Sequence, residues 1–308
     1  VRHPTPPTHA DTNSRSWTRN GNAYLGFPLS MKPNERKAIP AEKIFTTKLT
    51  FRKAVDGPDQ KRILATIWLL GHIGGLGSRS RRGFGTVALQ SWSLPDGWLK
   101  NDELPTIAHG SKSAEDWSKK FDAGLKKLKK WFPANQTAYH TVLNKGSAFY
   151  LFKSGYDKET KSCQDKGKPK SENYDPWEAA MDVAGKAMQG FRQRRDLKDA
   201  NSDYYRVKEH LSAKHTITVA GLTPKYLNGN APHRTAFGLP LTFRYGSLIG
   251  APPITFQGVA HDRSASPLFI RIVEIDGKCH PFFALLNSPL LAPNEKVADQ
   301  RDVQQARR

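Results

Sequence analysis

In "FTTKLTFRK", Phe45, Thr47, Leu49 and Phe51 share one face and Thr46, Lys48, Thr50 and Arg52 the other, so period two predicts a strand over 45–53. "DGP" at 56–58 makes a turn, and Pro58 suits the first position of a helix. Ile63, Ile67 and Leu70 follow at helical spacing, with Leu64 widening the stripe. That helix runs into "LLGHIGGLGSRSRRGFGTVAL", residues 69–89, where six glycines and three arginines stand between apolar flanks. "FGTVALQSW" at 84–92 then predicts a second strand.

Strand, helix, glycine-rich loop, strand is the order of the second half of a ferredoxin-like β-α-β-β-α-β unit. The first half takes roughly 50 more residues, which are not found ahead of it. Residues 20–95 are therefore expected not to complete a ferredoxin-like sheet from this chain alone. Residues 1–20 are polar and read as loop.

Further along, Trp117, Phe121, Leu125 and Leu128 form the stripe of an amphipathic helix, with Ser113 as cap, Asp116 in a capping-box-like position and Pro133 as stop. Six lysines between Lys119 and Lys130 crowd its other side, read as a solvated face in preference to a binding surface. Residues 157–173 lack periodicity and read as a mobile insertion. Another helix opens at Asp175-Pro176 with Trp177, Met181, Ala184, Met188 and Phe191 as a core stripe. At its end Arg192, Arg194 and Arg195 suit either the helix dipole or phosphate contact. "LTFRY", "PLFIRIVEI", a turn at Asp276-Gly277 and "HPFFALL" make the last third strand-rich, and the chain closes in a polar tail.

The chain of 308 residues carries 48 Lys and Arg against 28 Asp and Glu, a formal charge of +20, which points to a polyanionic partner and first to nucleic acid. A merely soluble basic protein is the plain alternative. Cys163 and Cys279 stand apart, outside zinc or disulfide spacing, which fits a reducing cytoplasm. "VRHPTPPTHADTNSR" has no signal-peptide core, and no apolar run reaches membrane length. The expectation is a soluble cytoplasmic protein without cofactor or metal.

No nucleophile elbow and no HExxH motif occurs. The glycine-rich stretch lacks the G-K-[ST] ending of a nucleotide P-loop, and it leaves a helix for a strand, the reverse of a dinucleotide fingerprint. His72 is the one histidine near it to weigh as a general base, against a capping or packing role. RNA binding fits the stretch better. Ser78, Arg79, Ser80, Arg81 and Arg82 are donors for phosphate oxygens, Gly74, Gly75, Gly77 and Gly83 let the backbone approach, and Phe84 offers a flat face. A flexible Gly/Ser/Arg linker shares this composition but would not sit between a good helix and a good strand.

A loop "GGLGSRSRRGFG" between the last helix and last strand of a ferredoxin-like unit resembles the RAMP superfamily of CRISPR-associated proteins. With "RTAFGLPLTF" at 234–243, "RSASPLFIRI" at 263–272 and the closing "HPFFALLNSPLL", the chain is similar to the first RAMP subunit of the type III-B (Cmr) effector complex over most of residues 20–293. The resemblance implies an α+β fold of two ferredoxin-like domains, the first incomplete at its N-terminus. The divisions expected are a polar loop at 1–20, the C-terminal half of the first domain at 21–100, a second domain with helical and disordered insertions at 101–293, and a tail at 294–308.

By the same resemblance, the glycine-rich loop is formed by Gly74, Gly75, Gly77, Arg79, Arg81, Arg82 and Gly83. Arg234, Phe237, Gly238 and Pro240 belong to a second family segment, and Arg263, Ser264, Ser266 and Pro267 to a third. On their own, Phe237, Leu239 and Pro240 read equally as an apolar turn, and Arg234 and Arg263 suit a salt bridge or a phosphate. With Arg192 these arginines join the loop as candidate RNA contacts. The family's opening, an apolar strand into a Thr-Pro-Leu turn and then an Arg- and Trp-rich helix, is not matched.

The function implied is a non-catalytic RNA-binding subunit in antiviral defence. Its partners would be guide RNA, in its 3′ region, the target RNA paired to it, and the other RAMP subunits of the complex. An endoribonuclease of the same superfamily that matures guide RNA is the alternative, and a general basic RNA chaperone is a third reading.

Overall fold

The structure is a computed structural model that describes residues 21–26, 39–133, 143–156, 175–193, 237–243, 253–288, 291, 295–300 and 303. The expectations for residues 1–20 and 157–173, and for Cys163, Arg194, Arg195 and Arg234, lie outside the described residues.

Helices and strands follow in the order α1 Gly21–Gly26, α2 Gly57–His72, α3 Ala114–Trp131, β1 Ala148–Leu151, α4 Pro176–Gln193, β2 Leu241–Phe243, β3 Ile254–Gly258, β4 Leu268–Ile275, β5 Lys278–Leu285 and β6 Val297–Asp299. The fold is α+β, with two small antiparallel sheets ordered β1-β5-β4 and β2-β3-β6. The described residues up to 133, with those of Ser147–Gln189 and Phe269–Leu285, form one compact unit, and the remainder form another. α2 and α3 lie in the same unit.

The three long helices arise where the side-chain spacing places them. Asp56 caps α2 by accepting the Asp59 N–H at 2.8 Å, and Ser113 caps α3 by accepting the Asp116 N–H at 3.1 Å. On α3 the buried face is Trp117, Phe121, Gly124, Leu125 and Leu128, as its stripe requires. On α2 the buried face is turned from the one expected. Leu64, Trp68 and His72 are buried, while Ile63, Ile67 and Leu70 are only half-buried. Trp68 decides this rotation. Its ring stacks on Phe121 at 5.5 Å, and its indole N–H donates to the Thr106 carbonyl at 2.8 Å. The helices come close where α3 carries Gly124, since a Cβ there would lie 2.4 Å from the Trp68 ring.

α3 packs on β5 and β1 of the sheet β1-β5-β4. Trp117 meets Phe282 of β5 at 5.0 Å and Phe121 meets Phe149 of β1 at 5.2 Å, both edge-on. Each fully buried apolar side chain of this kind stabilises the unit by about 1.5–3 kcal/mol. β4 and β5 form the hairpin expected around Asp276-Gly277, both of which take positive φ.

Two expected strands do not form. Residues 43–51 and 86–95 belong to no ladder, because among the described residues no strand pairs with them. The physical reason is that alternation describes which way side chains point, whereas a strand exists only when a neighbour takes its backbone groups. No complete ferredoxin-like sheet is formed by the described residues of 21–95.

In the second unit, Leu239, Leu241, Phe243, Ile254 and Phe256 form an apolar cluster with Leu291 and Val297 packed against it. β6 lies within the stretch read from sequence as a polar tail. Its Asp299 pairs with Phe256 of β3, and Val303 beyond it is buried.

Candidate nucleic-acid interface

The glycine-rich stretch is an ordered loop, 73–85, closed at its neck and fastened to β4. α2 ends as Ile73 and Gly74 both donate to the Leu69 carbonyl at 2.8 Å. The Leu76 N–H donates to the Gly85 carbonyl at 2.8 Å, which brings the two limbs of the loop together. Gly85 is required there. Its φ is +66°, and a Cβ would fall on the Leu76 carbonyl. At the far end a tight turn closes with the Arg82 N–H donating to the Arg79 carbonyl at 2.7 Å, and Arg79 itself takes the left-handed conformation at φ +62°.

Strand β4 holds this loop with three successive residues. The Ile270 N–H donates to the Arg81 carbonyl at 3.1 Å, and Arg82 bridges to Ile270 in parallel sense. The Arg81 guanidinium sits 5.0 Å over the Phe269 ring, a cation–π contact. Arg271 then reaches in from below. It is fully buried, and its guanidinium donates to the carbonyls of Leu70 (3.0 Å), Gly71 (2.9 Å), Val87 (2.6 Å) and Gly74. These are orphan carbonyls of the last turn of α2 and the neighbouring limbs of the loop, where the helix dipole is negative. Burial pulls the Arg271 pKa down to about 9, so the group stays charged at neutral pH. Its Nε has no hydrogen-bond partner among the described residues.

The loop's exposed tip is Leu76, Gly77 and Ser78, while Arg79, Ser80, Arg81 and Arg82 are half-buried and Gly83 is buried. Neither the Gly77 nor the Ser80 N–H donates to any described residue. Gly75 is held by crowding, because a Cβ there would stand 2.9 Å from the Gly85 carbonyl. Phe84 turns inward, its ring against Gly26 of α1. The arrangement is a rigid basic turn with three arginines in four residues, a shape suited to phosphate oxygens.

His72, at the foot of the loop, is locked. Its Nδ1–H donates to the Trp68 carbonyl at 2.8 Å, its Nε2 accepts the Ala108 N–H at 3.0 Å, and its ring stacks on Trp68 at 4.1 Å. Burial, assisted by the nearby Arg271 guanidinium, depresses its pKa to about 4. A neutral imidazole with both nitrogens engaged is a packing residue.

In the second unit the stretches around Leu239 and Ser264 come together. Leu239 and Ser264 exchange both backbone hydrogen bonds, at 2.9 and 3.1 Å. Gly238, at φ +113°, lies where a Cβ would press on the Ser264 carbonyl and Ser266 N–H at 3.0 Å. Leu239 is buried in the apolar cluster, Phe237 is half-buried, and Pro240 and Arg263 are exposed. Arg192 lies in α4, whose backbone alone is described there.

Sequence reasoning missed Arg271. Its signal was an arginine between isoleucines in "LFIRIVEI", but nothing local names partners some 200 positions away. Among the described residues, no three His, Cys, Asp or Glu side chains gather as metal ligands, and no helix is long and apolar enough to cross a membrane. Burial, with Glu274 and other acids nearby, raises the Cys279 thiol to about 12.

No family model matches the chain, and no curated protein does. Among solved structures, the apo crystal structure of Cmr1 from Pyrococcus furiosus is similar, with 14% identity and a TM-score of 0.40. The alignment covers 83% of this chain and 59% of that one, so the chain spans less than two thirds of that neighbour's length.

Proposed function

We propose that this chain is an RNA-binding RAMP subunit of a type III-B CRISPR (Cmr) complex, built on ferredoxin-like units. Within the complex it contacts the 3′ region of guide RNA and the target RNA paired to it, and cleaves neither. The observation that carries the reading is the glycine-rich loop, a basic turn made rigid by β4 rather than a flexible linker. A net charge of +20 favours a polyanion, and the sequence resemblance supplies which one.

In this reading the phosphate contacts position the strand and carry no sequence information. Base specificity then resides in guide–target pairing, and the subunit reads backbone and shape.

The test is the affinity of the full chain for labelled single-stranded RNA as a function of salt. Replacing Arg79, Arg81 and Arg82 by alanine should weaken binding to every sequence alike. It should also flatten log affinity against log salt by roughly 0.7 per lost contact, about two units in all. A folded triple variant with unchanged affinity and slope would refute the reading. Sequence-defined cleavage of guide precursor by the purified chain would replace it with the maturation enzyme.

A further inference from the structure

Residues 43–51 adopt no regular secondary structure and make no backbone hydrogen bond among the described residues, and the chain bends at 52–53. The chain enters them through Glu42, held at φ +61°. Their apolar face is open: Phe45 is 60% exposed, Leu49 53% and Phe51 44%, with Ile44 beside them at 77%. Of these, Phe51 makes a ring contact among the described residues, with Trp98 at 6.1 Å. Water satisfies a bare backbone, but it does not satisfy a row of large apolar side chains. A backbone with no ladder partner among the described residues, and apolar residues on alternate positions, can take up a foreign strand.

Charge selects the occupant. The polar face presents Lys48 and Arg52, flanked by Lys43 and Lys53, with Glu42 the one acid adjoining. A second copy paired antiparallel would set these cations against their own counterparts, which destabilises cross-strand pairs. RNA would find the cations and the phenyl rings on opposite faces, and it has no amide backbone to complete a ladder. We propose that residues 44–52 are a docking edge for a β-strand of another polypeptide. That strand alternates apolar residues, packed beside Phe45, Leu49 and Phe51, with Asp or Glu opposite Lys48 and Arg52. The inference stands apart from the RNA reading of the loop.

The experiment uses the full chain and a capped synthetic peptide, Thr-Glu-Val-Glu-Ile-Asp-Val-Thr, with the same peptide carrying lysine at its acidic positions as control. Amide hydrogen exchange over 44–52 should slow by about tenfold or more with the acidic peptide and stay unchanged with the lysine peptide. Consecutive N–H groups of a strand point to opposite edges, so the double variant Thr46→Pro/Thr47→Pro removes a donor from each. It should abolish binding, with far-UV circular dichroism and thermal midpoint unchanged, since neither residue has a backbone hydrogen-bond partner among the described residues. Equal protection by both peptides, or by neither, overturns the proposal. So does protection that grows with chain concentration alone, which means self-association, or protection conferred by single-stranded RNA. Slow exchange in the dilute chain by itself, which means that its own residues cover the edge, overturns it too.

Discussion

Two stretches on either side of α2 have opposite fates. The loop at 73–85 is made of the residues least suited to order, glycines and mutually repelling arginines, yet it is closed at its neck and fastened by Phe269, Ile270 and Arg271. The segment at 43–52 has the alternation of a good strand and no backbone partner among the described residues. Order in this unit therefore follows where the backbone hydrogen bonds end, not what each segment prefers locally. A strand some 200 residues away supplies the loop with hydrogen-bond donors. Nothing described supplies the other segment.

The largest test of that contrast is Arg271→Met, which keeps the buried volume and leaves several carbonyls without their donor. It should cost about 3 kcal/mol or more, read by urea denaturation, with Arg271→Lys recovering part of the loss. A variant within about 0.5 kcal/mol of the parent would mean that the loop orders itself.

Next in size is an effect of pH at the loop's foot. The folded His72 pKa, about 4, lies below the ordinary value of 6.5. Between those values the unfolded chain takes up a proton that the fold refuses, so stability is full above pH 6.5 and falls as pH drops towards 4. The loss should reach about 2–3 kcal/mol, measured by denaturation at pH 7 and pH 4.5. His72→Asn should be less stable at pH 7 and lose less on acidification. An unchanged pH slope in that variant would show that other groups cause the loss.

The smallest effect sharpens the other half of the contrast. Leu49→Lys should change the stability of the isolated chain by no more than about 0.5 kcal/mol, because the side chain is exposed. A loss well above that, in the same urea titration, would mean that the segment is already packed.

What the sequence by itself determined was local. Capping residues and 3.6-residue spacing placed α2, α3 and α4, and Asp276-Gly277 between apolar runs placed the β4–β5 hairpin. The glycine-rich loop was legible as a loop, because a helix and an apolar segment bound it. Only the tertiary structure decided the rest. Which side of α2 is buried was settled by Trp68 finding Phe121 and the Thr106 carbonyl. β1 and β6 are short strands that exist through their partners, and the expected strands at 45–53 and 84–92 are absent for want of any. Arg271, the anchor of the candidate site, acquires its role only from four carbonyls far off in sequence. The physical reason is common to all of these. Propensity and capping act within a few residues and can be read along the chain, whereas ladders, buried charges and aromatic contacts join residues that sequence order keeps far apart.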